Sequence, residues 1–392
     1  MGKNPLEQVV CKSSDTAERY KFGKQVPMET FISDYINSKI DVTGDFEEFL
    51  YNRNAFVDYT LTPNHFKFFF SRMIPEVLIH SKKQDERIIR SHYDRGNDFF
   101  RAFLGPRMIY TAGLWLKPKE ETLELAQDRK MQSVCQKLNL KKGKKMLDIG
   151  CGWGTLVCYA AKHYDVDATG ITIAQDGTEH GNKQIAEHGM TNKARIMRID
   201  YRDIPKEKYD AISSLEMIEH VGLKNYQKFI RQIYDLLSDD GIFYLQQAGL
   251  RANPGLHKRG PHWEDLVWGL FMNEFIFSGA DASTPLGYMV NNLQQANFEV
   301  SSIENVGIHY SHTIQAWYNN WMGNKEQILG TYGEWWFRLW QVFLKWSVII
   351  ASQGSSTCYA IVAHKNLNSF DRNVYVGPNK YPYYAFDNIT PF

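Results

Sequence analysis

Two short stretches hold residues able to do chemistry. LEMIEHVG (215–222) brings Glu216, Glu219 and His220 together directly after YDAISS, an apolar run that reads as a buried strand ending in a loop. Two carboxylates and an imidazole at this spacing are open to three uses. They can ligate a divalent metal, handle a proton through a carboxyl raised in pKa by an apolar pocket, or form a solvated cluster at a helix start. The spacing alone does not choose. The second stretch is LDIGCGWGT (147–155), where Gly150, Gly152 and Gly154 follow a strand and open a helix. Glycines there permit a tight turn and let backbone N–H groups approach a ligand closely.

Glycine loops of this type also serve dinucleotide sites. Here Asp148 precedes the first glycine in the form D-x-G-x-G-x-G, and GITI runs on to Ala174 and Gln175 with no acidic residue closing the second strand. Carboxylates arrive instead after the third strand, in IDYRDIP (199–205), as Asp200 and Asp203. That arrangement disfavours a nicotinamide dinucleotide and favours a different adenine-bearing ligand.

The elements that must position these groups alternate. KKMLDIG, VDATGITI, ARIMRIDY, YDAISSL and GIFYLQQAG read as strands, and the segments between them, the last being NYQKFIRQIYDLLSDDG, as helices. Strands alternating with helices imply an α/β, Rossmann-like, mostly parallel sheet with right-handed crossovers. FEVSSIENVG and CYAIVAHKN complete the sheet. The expected organisation is an N-terminal region over 1–60 with short helical pieces, and a helical lid over 61–120 in which Pro75 interrupts FKFFFSRMIPEVLIH. The main domain follows over 121–370 with a helical insertion at about 250–350, then a tail over 371–392.

Composition narrows the function classes. The chain has 45 basic and 44 acidic side chains, so its net charge gives no bulk attraction to nucleic acid. The five cysteines form no CxxC pair, which speaks against a structural zinc or disulfide framework and for a reducing compartment. The N-terminus lacks a signal-peptide core, and no run of about 18 apolar residues exists, so an intracellular protein without a spanning helix is expected. Aromatic residues reach 14%, many of them in WYNNW (317–321) and EWWFRLWQVFLKW (334–346). They suit helix packing, an apolar substrate tunnel, or an interfacial membrane surface.

Over 120–250 the sequence resembles the class I S-adenosylmethionine-dependent methyltransferases. By that resemblance Asp148, Gly150, Gly152, Gly154 and Thr172 border the methionine and ribose of the donor, and Asp200, Tyr201 and Arg202 border its adenine. HYDRGNDFFRAFLGPRMIYTAGLW (92–115), LDIGCGWG, DYRD, EHVG and HYSHTIQAWYNNW (309–321) are similar to the cyclopropane fatty acid synthase family. A longer likeness, from about 66 to 370, joins the chain to the fungal-type sphingolipid carbon-9 methyltransferases, through GPRMIYTAG, YDLLSDDGIFYLQQAGLR, FSGADASTPLG and QGSSTCYAIVAHKNLNS among others.

The resemblance implies methyl transfer to a carbon–carbon double bond of a lipid chain, the sphingoid base first among them, with peripheral membrane contact. The alternative is an N- or S-methyltransferase of a small soluble amine or thioether. Tyr110 and Thr111 would contact the donor. In the family a bound bicarbonate is held by a Cys, a Glu, a His and a Tyr. By motif these positions are Ala112, Glu219, Gln246 and Tyr310, so two of the four differ. Glu219 facing the reacting carbon with Tyr310 is the expected catalytic pair, with His309 as a second candidate base and Glu216 in a supporting role; no metal is expected. Asp281, His262 and Trp263 are open between loop structure and substrate contact, and Arg338 reads as a structural ion-pair partner.

Overall fold

Near-continuous apolar runs such as MLDI and DAISS suit strands covered on both faces, which is how a parallel sheet is buried. The computed structural model describes residues 5–21, 24–73, 87, 95–251, 262–376 and 389–392. Seven strands form one sheet: β1 (Lys145–Ile149), β2 (Asp167–Thr172), β3 (Ala194–Arg198), β4 (Tyr209–Leu215), β5 (Leu237–Leu250), β6 (Phe298–Asn305) and β7 (Ser356–Lys365). Their spatial order is β6-β7-β5-β4-β1-β2-β3. The pairings from β3 through β5 are parallel, and β7 runs antiparallel to both β5 and β6. This is the mostly parallel α/β sheet expected from the alternation.

Strand order reverses at β1. Its chain successor β2 lies on one side, and β4 on the other. Ligands of open α/β sheets bind outside the carboxyl ends of the strands at such a switch point. The glycine loop leaves β1 and LEMIEHVG leaves β4, so the sheet brings the two chemical stretches of the sequence side by side.

The helices that matter here are α1 (Met28–Ile36), α2 (Phe46–Tyr51), α3 (Asn97–Leu104), α4 (Leu123–Lys137), α5 (Thr155–Tyr164), α6 (Gln175–Glu187), α7 (Leu223–Leu236), α8 (Trp263–Phe271), α9 (Leu286–Gln295), α10 (Gly307–Gly323) and α11 (Glu334–Ser352). One boundary differs from expectation. The helix read through LLSDDG stops at Leu236, because Leu237 turns extended (φ −71°, ψ 139°) and pairs with Tyr209 as the start of β5. Its side chain is fully buried in the sheet core, which a further helical turn would not allow.

The N-terminal region is less peripheral than its polar sequence suggests. Phe31, Phe49 and Phe56 are buried and share one aromatic core with Phe99, Phe103, Trp321, Trp340 and Trp346. Arg338 on α11 fastens this region in place. Its guanidinium donates to the carbonyls of Tyr35 (3.0 Å) and Ile40 (2.8 Å) and pairs with Asp41 and Glu334. Lys345, also on α11, has no solvent exposure and donates to Gln315 at 2.5 Å while pairing with Glu47. Pro75 and the start of the lid signature, residues 92–94, lie outside the described residues.

Candidate active site

At the end of β1, Gly150, Gly152 and Gly154 all adopt left-handed φ (78°, 55° and 79°), the region where only glycine is free of strain. A Cβ on Gly152 would meet nothing within 4 Å, whereas one on Gly177 of α6 would stand 2.5 Å from the Gly152 carbonyl oxygen. Gly177 therefore lets α6 press on the loop from behind, and Gly152 leaves open space in front. That space is a cavity of about 320 Å³. Gly154 plays a different part: it is the N-cap of α5, and its close neighbour is the Ile196 side chain.

Asp148 is buried at the end of β1 and accepts from the Ser213 hydroxyl of β4 at 2.7 Å. Burial pushes its carboxyl up to about 6, against the pull of Ser213 and Lys130. Lys130 of α4 reaches the same cavity, donating to Thr111 Oγ1 at 2.9 Å. Burial brings its ammonium down to about 8, while Glu216 and Asp148 favour the charge. Beyond β3, Asp200 caps the Arg202 N–H (2.9 Å) and holds the Arg202 guanidinium through both oxygens at 2.7 Å. Thr172, Asp200, Tyr201 and Arg202 line one end of the cavity, next to the glycine loop.

The other end is apolar and aromatic, with Trp268, Phe277, Trp317 and Phe343 in its wall. Tyr110 packs edge-on to Trp317, ring centroids 5.5 Å apart, and against Phe277 at 5.7 Å. Between the two ends stand the carboxyls after β4. Glu219 is buried; its Oε1 accepts the Ala248 N–H at 2.6 Å and its Oε2 has no hydrogen-bond partner among the described residues. Burial, then the charge of Glu216, push the Glu219 carboxyl up to about 8.

Glu216 is more heavily held than its expected supporting role implied. Tyr310, expected to face the reacting carbon with Glu219, donates its hydroxyl to Glu216. Gln246 Nε2 donates to its Oε1 at 2.7 Å, and Cys358 Sγ lies 3.8 Å from the same oxygen. Burial raises the Glu216 pKa, opposed by Tyr310, Gln246 and Lys130 in that order. Tyr110, Thr111, Asp148, Gly150, Gly152, Glu219 and Tyr310 thus share one cavity wall. Gln246 lies behind that wall, buried in β5. His309 is turned away: its Nδ1 accepts the Trp115 N–H at 3.1 Å. Successive helical residues diverge by about 100°, so Tyr310 and His309 on α10 cannot both face the cavity.

Asp281 serves as a loop cap for Ser283 (2.9 Å) and offers its own N–H to the Glu219 carbonyl (2.8 Å). His262 and Trp263 are exposed and outside the cavity lining. Lys130 and Cys358 escaped sequence reasoning. A lysine in AQDRKMQSV reads as one more solvated helix position, and only the docking of α4 under Thr111 reveals its use. Among the described residues no three His, Cys, Asp or Glu side chains converge as a metal site.

A family model described as mycolic acid cyclopropane synthetase matches residues 80–361. The chain belongs to this family. Among its relatives, a sphingolipid C9-methyltransferase of Komagataella phaffii is 48% identical over 370 residues, covering 92% of this chain and 74% of that protein. One of Candida albicans is 44% identical over 365 residues, covering 91% and 70%. Of solved structures, the mycolic acid cyclopropane synthase CmaA1, complexed with SAH and CTAB, superposes with a TM-score of 0.68 at 25% identity over 71% of this chain and 98% of that one. Coclaurine N-methyltransferase, at 16% identity and a TM-score of 0.65 over 86% of this chain and 99% of that one, shares the fold.

Proposed function

We propose that this cyclopropane synthetase family member transfers a methyl group from S-adenosylmethionine to a carbon–carbon double bond of a sphingoid chain, at carbon 9. The observation that carries this reading is a single cavity that joins the glycine loop to an aromatic slot through two buried carboxyls. The residues present fit the donor. Gly152 leaves room at the loop, Asp148 and Asp200 supply carboxylates, and Thr111 and Tyr110 close over them. S-adenosylmethionine supplies an electrophilic methyl group on a sulfonium.

An alkene is a weak nucleophile, so the chain must hold it within reach and in line. Trp317, Phe343 and Phe277 shape a slot for an unbranched hydrocarbon, and their faces favour positive charge developing on it while keeping water out. A bound bicarbonate does not suit these residues. Ala112 is buried and has no polar side chain, the Tyr310 hydroxyl and one Gln246 N–H go to Glu216, and Cys358 draws on the same amide. The proton released at the end of the reaction must then go to a group of the chain itself.

A lipid of this class has to be taken from a bilayer. Phe66 and Phe70 expose 52% and 67% of their surface beside Lys67 and Arg72, a pattern suited to an anionic interface. Arg72 donates to Ser278, next to Phe277 of the slot. We read this face as a peripheral membrane contact; no helix among the described residues is long and apolar enough to cross a membrane. Incubation with methyl-labelled donor and a total lipid extract tests the activity. Label is expected in the sphingolipid fraction; label confined to the aqueous phase would return the soluble amine or thioether substrate.

A further inference from the structure

Glu216 is placed with more care than a supporting residue needs. It is a non-glycine residue in the left-handed region, at φ 57°, directly after β4, a strained conformation that persists only where surroundings impose it. Its N–H is held by the Gln246 carbonyl at 2.7 Å, which fixes that turn. The side chain then enters the cavity wall, where Gln246 (2.7 Å) and Cys358 (3.8 Å) serve one oxygen and Tyr310 the other. Lys130 adds a positive charge from the same wall. Glu219, a few residues on, is held by backbone N–H groups, chiefly that of Ala248, and its other oxygen has no partner among the described residues.

Two carboxyls in one dry site do not both ionise. Hydrogen-bond donors favour the anion, and Glu216 has three side-chain donors where Glu219 is met by backbone N–H groups alone. The proton therefore resides on Glu219, and Glu216 is the anion. A neutral carboxylic acid is no base, which leaves Glu216 as the carboxylate of the pair able to take a proton.

We propose that Glu216 is the general base that accepts the proton from the methyl-bearing carbon of the substrate. This rests on the activity proposed above. In that step the C–H bond of the methyl-bearing carbon breaks, its electron pair closes the double bond onto the adjacent cationic carbon, and the proton passes to a Glu216 oxygen. The product is a branched alkene. Tyr310 and Gln246 are positioning residues that aim the carboxylate.

The test compares Glu216→Gln and Glu219→Gln with the wild type in two measurements. The first is calorimetric binding of a sphingoid analogue with a tertiary ammonium in place of the cationic carbon. Loss of a charge-assisted contact should weaken it about tenfold in Glu216→Gln, and less in Glu219→Gln, with S-adenosylhomocysteine affinity kept as evidence of an intact fold. The second is lipid methylation, expected to fall by about 10²–10⁴ in Glu216→Gln, the usual contribution of a general base. Glu216→Gln that keeps methylation, or an analogue affinity hit harder by Glu219→Gln, overturns the assignment. Wild-type protein that labels no lipid instead overturns the activity on which it rests.

Discussion

Replacing Glu219 by Gln should make the protein more stable at alkaline pH. The carboxyl is 6% exposed, and burial, with the adjacent Glu216 charge, raises its pKa from 4.5 to about 8. A group whose folded pKa lies above its unfolded one binds a proton in the native state when the unfolded chain has already lost it. Between pH 4.5 and about 8 the native state thus holds one more proton, and stability falls as pH rises through that window. At 1.36 kcal/mol per unit of pKa, the whole window is worth on the order of 5 kcal/mol, and the interval from pH 6 to 7.5 about 2 kcal/mol. Gln keeps the shape, lets its carbonyl accept the Ala248 N–H, and does not titrate. Urea unfolding of both proteins at half-unit steps from pH 5.5 to 8.5 isolates the effect, since other titrating groups cancel in the difference. The expected result is a stability difference that grows in favour of the variant with each step. Parallel curves would refute the reasoning, and with it the proton placed on Glu219.

Gly152→Ala should cost about 1–2 kcal/mol in stability for its left-handed backbone, yet abolish the rise in melting temperature caused by S-adenosylhomocysteine, because its Cβ enters the donor space. Gly177→Ala should do more harm to folding, about 1–3 kcal/mol from overpacking against the loop carbonyl, as read by the same melts. Arg338→Met should lower the free energy of unfolding by about 3 kcal/mol, since the Tyr35 and Ile40 carbonyls lose the guanidinium and Asp41 its charge partner; urea titration checks it. Phe70→Glu should reduce sedimentation with anionic vesicles several-fold while leaving donor binding unchanged; equal sedimentation would remove the membrane face.

The architecture was legible because the strands are short apolar runs and the glycine loop has one plausible place, at the end of the first of them. The sequence motifs named many of the residues that line the cavity, and their pairings were less legible. Tyr310 and Glu219 do share a wall, but which carboxyl Tyr310 touches depends on the left-handed turn at Glu216, a backbone state no residue type in LEMIEHVG announces. His309 lost its candidacy to helix phase: one residue of rotation on α10 decides what faces the cavity. Lys130 was hidden because charged residues on helices are ordinarily solvated, and its burial is a product of tertiary docking. The N-terminal region reads as polar because its aromatic side chains are interspersed with charged and polar residues, and only packing against α11 gathers Phe31, Phe49 and Phe56 into a core.

Helix α11 belongs to two structures at once. Leu339, Trp340 and Trp346 lie in the core that includes the N-terminal region, while Phe343, Ser347, Ile350 and Ala351, at the spacing of one helical face, line the lipid slot. Changing what chain the enzyme accepts and keeping the enzyme folded are therefore not separable problems. A bulkier residue at Ser347 or Ala351 would shorten the slot, but it would also press on the helix around which the aromatic core is assembled. Divergence in chain length should consequently proceed through compensated pairs of substitutions across α11, and single changes on its slot face should be scarce among functional variants.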